Sequence, residues 1–515
     1  MLVRSDKMTI LGRLDYLLCP TMSEEFDSPE GSPIPLPPIS LPPSRGASDF
    51  SVDEHEACIQ ATIDSVDWDA LADVGRHHYQ AASAVWGEQI CGGYNVVRFL
   101  HLDDEHTTTI VARIPIHPVG GLVDSEGTQA LSRRIQSEVA SMEYVLEKTS
   151  IPVPKVVAYS ADLEGGGVGS PYLLMTMIEG SPLSSLWDDM SDDQRDAVLK
   201  QVVDILLQLS DLRFNSIGAL MKDKESNFYI SPLKSILSDE APDPRVSSGF
   251  PNRTFSSGLD YWTAYATAAL ERTDEENFGQ ESKTYGYCMT WIQRSLFPSV
   301  IDTSLDSSGF PLVHGDFHSQ NIMIVDGDTG SPVISGIIDW ELTSTDATSV
   351  FAQYPLFIVD HPAWPDDHPL KPRNLRDQDV FKRLVSEAEM EATPGHVWLA
   401  PSYASCRGVY CLTQCIQSPV WDGILHDMFE HFYGRDVDET EDFAVEYYQA
   451  LMRGILKAEA DRFDEEMAVY KEAKVVLGEH EVPIGATRQA MRAFLAEQQV
   501  MFPQDSIVRR WSSRI

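Results

Sequence analysis

Cysteine is scarce in this chain: seven among 515 residues, at 19, 58, 91, 288, 406, 411 and 415, with no C-x-x-C pair. An odd, scattered set is no disulfide framework, and a reducing, cytoplasmic setting is expected. Basic residues are also few. Thirty-nine Lys plus Arg face 79 Asp plus Glu, a formal charge of -40, which repels phosphate backbones and anionic headgroups and argues against nucleic acid as a partner. No apolar run reaches 18 residues, so no membrane span is expected. The first residues, broken by Asp6, Arg13 and Asp15 and followed by no small-residue cleavage site, make a poor secretory signal. Neither a G-x-S-x-G elbow nor a Walker A loop occurs. What remains, 43% hydrophobic and 23% charged, is the composition of an ordinary globular protein.

The organisation follows from composition and period. Residues 1–50 carry SEEFDSPEGSPIPLPPISLPPSRGAS, where closely spaced prolines remove backbone donors and few large apolar side chains can build a core. This reads as a disordered Pro/Ser-rich tail. Its P-x-x-P spacing suits an SH3-like protein partner, although a plain solvated tail is the commoner case. Residues 51–87 read as a helical extension with a helix over 68–85. From Cys91 to Pro115, apolar and polar residues alternate on both sides of Asp103-Asp104-Glu105, a hairpin pattern opened by Gly92 and Gly93. A Gly-containing loop (119–127) follows. Leu131, Ile135, Val139, Met142 and Val145 then recur at spacings of three and four, which predicts an amphipathic helix stopped by Pro152. KVVAYS and PYLLMTMI read as two strands, the second ending at the turn Glu179-Gly180-Ser181-Pro182. Beyond it helices dominate, over 192–209, 442–463 and 487–499. Residues 223–252 and 361–372 look like insertions, which often shape substrate pockets.

Chemistry concentrates in FPLVHGDFHSQNIMIVDGDTGSPVISGIIDWE, Phe310 to Glu341. Its apolar ends predict strands, and Asp326-Gly327 lies in a hairpin connection. Asp316 and Asn321 then fall just before one strand and Asp339 at the end of the next. A carboxylate able to accept a hydroxyl proton, an amide oxygen and a second carboxylate suit Mg²⁺ and a phosphoryl group, because hard cations take oxygen ligands.

His314-Gly315-Asp316 with Asn321, followed by Ile337-Ile338-Asp339-Trp340-Glu341, resembles the catalytic and metal-binding motifs of the aminoglycoside phosphotransferase and choline kinase branch of the protein-kinase-like fold, in a form common in fungi. The resemblance covers roughly residues 88–345 and implies an α+β, two-lobed architecture: a small β-rich N-lobe over 88–178 and a large α-rich C-lobe over 179–515. It implies Asp316 as the catalytic carboxylate, with Asn321 and Asp339 binding Mg²⁺. It further implies Gly92 and Gly93 over the phosphates of ATP, Arg113 in the place of the usual phosphate-binding Lys, Glu138 as its partner, and Met175 and Met177 in the segment that meets adenine. An Arg fork can grip phosphate oxygens with a different reach. The sequence departs from many relatives after Glu341, so Asp346 receives no task.

Plainer roles stand beside these. Asp316 can form a turn, Asn321 can cap a strand, Arg113 and Glu138 can be solvated surface groups, and the glycines can relieve a turn. His314 is expected to hold the catalytic loop, and His318 is unassigned. The leading function is a small-molecule kinase moving phosphate from ATP to a hydroxyl acceptor. Its rivals are a nucleotide-binding scaffold without turnover and a metal hydrolase using His314, Asp316 and His318 as ligands on one side of a strand.

Overall fold

The computed structural model describes residues 52–417 apart from 118–124, 163–164, 238–242, 248, 276–289, 291–292, 295, 327–330, 361–363, 365–366, 392–395 and 405, together with positions 496 and 500. The Pro/Ser-rich tail and the helix expected over 442–463 lie outside the described residues, as does the one over 487–499 but for position 496, which is helical.

Two helices lead in. α1 (Val52–Ser65) is followed by α2 (Trp68–Tyr79), whose N-cap Asp67 accepts the Ala70 N–H at 2.9 Å. α2 ends eleven residues after Trp68, not at residue 85. Gln80 adopts a left-handed cap, and Ala84–Cys91 forms β1. The cap is a Gln where glycine is the usual signal, so the sequence conceals this stop. Trp86 of β1 turns back on Trp68, edge to face at 5.2 Å, and the Arg98 guanidinium lies 4.5 Å from the Trp68 ring.

β1 joins β2 (Asn95–Leu102), β3 (Thr109–Pro115), β4 (Val156–Ser160) and β5 (Tyr172–Thr176) in an antiparallel sheet of order β1-β2-β3-β5-β4. The expected hairpin is therefore two hairpins. One turns at Gly92–Tyr94 with Cys91 opposite Val96, the other around Asp104 with Leu100 opposite Ile110. Side chains alternate across β5: Tyr172 and Leu174 enter a core shared with α2 and β2, while Leu173 and Met175 enter a second core shared with the large lobe. α3 (Ser125–Lys148) crosses beside this sheet. Its predicted stripe, Leu131, Ile135, Val139, Met142 and Val145, is buried throughout.

The large lobe starts with β6 (Ser181–Pro182) and α4 (Asp192–Asp211), which opens on a capping box between Ser191 and Gln194. Val198, Val202, Ile205 and Leu206 form its buried face, as their spacing predicts. Short strands β7 (Arg213–Phe214), β8 (Ala219–Lys222), β9 (Phe228–Ser231), β10 (Phe310–Val313), β11 (Ile322–Asp326), β12 (Pro332–Ile337) and β13 (Ser344–Thr345) make two small sheets, β7-β10-β13-β8-β9 and β12-β11-β6. The longer helices of the rest of the described part are α5 (Gly258–Glu275), α6 (Lys371–Glu389) and α7 (Cys406–Gln417). The architecture is α+β and two-lobed, a β-rich small lobe and a larger lobe in which helices dominate. β9 lies inside the stretch read as an insertion and pairs with β8 from Ala219 to Lys222.

Candidate active site

The loop that carries His314, Asp316 and Asn321 leaves β10, whose Phe310 and Leu312 are buried, and returns into β11. Gly315 is dictated by packing: a Cβ there would collide with the carbonyl and side chain of Leu342. His314 is buried and bridges two backbones. Its Nε2–H donates to the Ile338 carbonyl at 3.0 Å, and its Nδ1 accepts the Asp316 N–H at 3.3 Å. Burial, opposed by Asp339, pushes this imidazole below its ordinary value, in keeping with a neutral ring. It rests edge-on against Trp340 at 4.6 Å. His314 thus ties the loop of Asp316 to the chain entering Asp339.

Asp316 has one oxygen saturated. Oδ2 accepts from Asn321 Nδ2 at 3.2 Å and lies 3.1 Å from His318 Nε2, while His318 Nδ1 accepts the Gln320 N–H. Burial would raise this carboxyl, but hydrogen bonds from His318 and Asn321, with the nearby imidazoles, hold it below its ordinary value. It is therefore ionised near neutrality. Asn321 Nδ2 also donates to the Asp316 carbonyl at 2.9 Å, which leaves the amide oxygen of Asn321 turned away from this contact. Across the β11–β12 hairpin the Asn321 carbonyl accepts the Ile338 N–H at 2.9 Å, one residue before Asp339. The structure brings Asp316, Asn321 and Asp339 together.

Asp339 has a left-handed backbone, φ +65°, uncommon for a residue with a Cβ and frequent where function fixes a side chain. Its Oδ1 accepts from Arg113 Nη2 at 2.8 Å. The Arg113 guanidinium, buried on β3, also bonds Glu138 of α3 through Nη1 and Glu341 through Nη2. Arg113 and Glu138 are thus a buried pair, not solvated surface groups. Burial pushes the Glu138 carboxyl upward, and the Arg113 guanidinium opposes that push. Glu341 additionally receives Asn95 Nδ2 at 3.0 Å and lies 3.4 Å from Arg134 Nε. Sequence reasoning assigned no task to Glu341, Asn95 or Arg134. The signal for Arg134 was present, since it stands four residues before Glu138 on one helical face.

Gly92 and Gly93 form the β1–β2 turn, with the Gly92 N–H on the Asn95 carbonyl at 2.9 Å. Neither has a positive φ, and a Cβ on Gly93 would meet nothing within 4 Å. Turn strain therefore does not explain these glycines. The Asn95 contact to Glu341 sets the turn beside the Asp339 loop. Met175 and Met177 part company: Met175 is buried in β5 opposite Val111 and Val156, whereas Met177, just past the strand, is 41% exposed.

Three carboxylates, Glu138, Asp339 and Glu341, share two guanidinium groups, Arg113 and Arg134, and Asp316 adds a further negative charge. This surplus, with the oxygens of Asn321 and half-exposed Asp339, fits a divalent cation bound mainly by one or two protein oxygens and a phosphate. It does not fit the hydrolase reading. Both nitrogens of His314 are committed to backbone, and no group of three or more His, Cys, Asp or Glu among the described residues is arranged to hold a metal.

The two-lobed architecture gathers an acid–amide–acid cluster, Asp316, Asn321 and Asp339, at the ends of β10, β11 and β12. The chain belongs to the phosphotransferase enzyme family, whose sequence profile matches residues 87–347. A subtelomeric hrmA-associated cluster protein of Aspergillus fumigatus is 32% identical over 154 residues, 28% of each chain. The protein named altered inheritance of mitochondria protein 9, mitochondrial, of Saccharomyces cerevisiae is 33% identical over 129 residues, 24% of this chain and 19% of that one. The match thus spans under a third of these curated relatives. Among solved structures, ADP-bound aminoglycoside phosphotransferase APH(2'')-Ib is 11% identical with a TM-score of 0.39, covering 77% of this chain and 99% of that one. The GDP complex of aminoglycoside 2'-phosphotransferase-IIIa is 13% identical with a TM-score of 0.37, covering 70% and 96%.

Proposed function

We propose that the protein is an ATP- and Mg²⁺-dependent phosphotransferase that moves the γ-phosphoryl group to a hydroxyl of a small molecule, an amino-sugar, a choline-like alcohol or a similar acceptor. One observation carries this reading: Asp316 has Oδ2 taken by His318 and Asn321, leaving Oδ1 for an acceptor hydroxyl, and Asn321 is tied through its carbonyl to Ile338, the residue before Asp339. In this reading Asn321 and Asp339 hold Mg²⁺, which neutralises charge on the transferring phosphate. Asp316 orients the acceptor and takes its proton at Oδ1. His314 keeps Asp316 and Asp339 in register. Arg113, aimed by Glu138, grips phosphate oxygens, with Gly92 and Gly93 above them and Met175–Met177 beside the base. Positioning and charge compensation supply the rate, with little covalent work by the protein.

The test uses the purified full chain, ATP and a panel of amino-sugars, choline-like alcohols, hydroxylated amino acids and sugars. Transfer should appear with at least one class, require Mg²⁺, and fall by about 10²–10⁴ in Asp316→Asn while nucleotide still binds. The scaffold reading draws on one observation, the Arg113 contact to Asp339 that a metal would have to displace. Nucleotide binding with no turnover on any acceptor would select it.

Cytoplasmic location belongs to the same proposal. No described helix is long and apolar enough to cross a membrane, and the name of the yeast relative makes mitochondria the rival compartment. Fractionation of cells expressing the tagged chain separates the two. The Pro-rich tail as a dock for a protein partner is likewise a proposal, tested by binding of SH3 domains to a peptide of residues 23–48.

A further inference from the structure

Glu341 is held from several directions at once. Asn95 Nδ2, at the start of β2, donates to Oε2 at 3.0 Å; Arg113 Nη2, on β3, bonds the same oxygen; Arg134 Nε, on α3, approaches Oε1 at 3.4 Å. Each donor belongs to a different element of the small lobe, and the acceptor belongs to the large one. Glu341 also stands on a rigid base. Trp340 is fully buried with its indole N–H on the Ile337 carbonyl at 2.9 Å, the Thr343 N–H returns to the Trp340 carbonyl, and Gly315 packs on the Leu342 backbone. The Glu341 side chain is only 14% exposed, so these charge-assisted bonds form where water competes poorly.

The geometry points to Glu341 as the mooring of the small lobe: a positioning residue that fixes the glycine hairpin through Asn95 and divides Arg113 between Glu138 and the Asp339 loop. Oε2 is taken by Asn95 and Arg113 and Oε1 faces the Arg134 guanidinium, so the role differs from metal binding. With Glu341 neutralised, the hairpin loses its large-lobe anchor and Arg113 Nη2 turns to Asp339 alone while Nη1 stays on Glu138. The inference rests on the phosphotransfer reading for its kinetic consequence alone.

The test compares hydrogen exchange in the full, nucleotide-free chain for wild type, Glu341→Gln, Asn95→Ala and the double variant. The amides of Gly92 and Ile116, which close the hairpin on the Asn95 and Tyr94 carbonyls, should exchange roughly tenfold faster in each single variant, the ratio set by one lost charge-assisted bond. The double variant should exchange no faster than the quicker single, because both remove one contact, and the amides of α6 should be unchanged. If transfer is detected, the KM for Mg·ATP should rise about tenfold with a smaller change in kcat. Unchanged hairpin exchange in both singles overturns the mooring. So does a raised Mg²⁺ requirement in Glu341→Gln with hairpin exchange unaltered, which would make Glu341 a metal ligand. The exchange experiment needs no turnover, so a failed mooring and a failed phosphotransfer reading give different results. Asn95→Ala supplies an answer if Glu341→Gln does not fold.

Discussion

Replacing Asp339 by Gly and by Ala separates what its carboxylate does from what its backbone costs. Both variants lose the Arg113 Nη2–Oδ1 bond. Because the Asp339 side chain is 40% exposed, that ion pair is screened and its loss costs about 0.5–1 kcal/mol. The variants part at the backbone. At φ +65° a residue with a Cβ carries a left-handed cost of roughly 1–2 kcal/mol, which Asp partly relieves and Ala does not, whereas Gly carries none. The greater freedom of unfolded glycine returns about 0.5–1 kcal/mol of that advantage. Asp339→Gly should therefore denature in urea close to wild type, and Asp339→Ala about 1 kcal/mol below it. Both should lose Mg²⁺-dependent nucleotide binding equally, read by calorimetric titration with Mg·ATP. An Ala variant as stable as the Gly variant would refute the backbone argument. Retained Mg²⁺-dependent binding in either would refute the assignment of Asp339.

Three further outcomes are expected. Replacing His318 by Leu removes a donor that holds Asp316 low, so Asp316 should titrate higher and the acid limb of the kcat/KM profile should move to higher pH; an unmoved limb would show that His318 does not act on Asp316. Asp346 is half-buried, accepts the Trp262 indole N–H at 3.1 Å and the Ala347 N–H, and is pushed by desolvation up to about 7. The folded chain then holds a proton that the unfolded chain has released between about pH 4 and pH 7, so stability should fall with rising pH in that window, by at most about 1.4 kcal/mol per unit; Asp346→Asn should flatten this slope in pH-dependent urea melts, and an equal slope would refute it. Replacing Gly315 by Ala drives a methyl group into the Leu342 backbone, and the chain should lose roughly 1–3 kcal/mol with transfer falling alongside; thermal melting and activity together check it.

Much of the candidate site's geometry was legible because its parts stand close in the chain. Asp316 and Asn321 precede β11, Asp339 follows β12, and a short hairpin brings these ends together, so alternation plus a turn signal placed all three. The stripe from Leu131 to Val145 was equally plain, since a 3.6 period states which face is buried. β1 was missed for local reasons: Ala84–Cys91 is largely exposed on both faces, so it alternates weakly, and the helix before it stops at a Gln. The mooring at Glu341 was missed for another reason. Asn95 and Arg113 meet it across more than two hundred residues, and nothing in a window of sequence states that an acid two places after Asp339 will be met by an amide from the glycine turn. Asp346 reads in sequence as an ordinary acid after a strand, and only the Trp262 indole bonded to it reveals a carboxyl partly shielded from water.

Arg113 also decides how the protein can be detected. Acyl-phosphate nucleotide reagents work by handing an acyl group to a nearby amine, and a guanidinium that three carboxylates keep protonated has no nucleophilic lone pair to receive it. Surveys of nucleotide-binding proteins by amine acylation would pass over this position even with a nucleotide bound, and a guanidinium this buried and this firmly protonated would be slow with guanidine-directed dicarbonyls as well, because they need the same free lone pair.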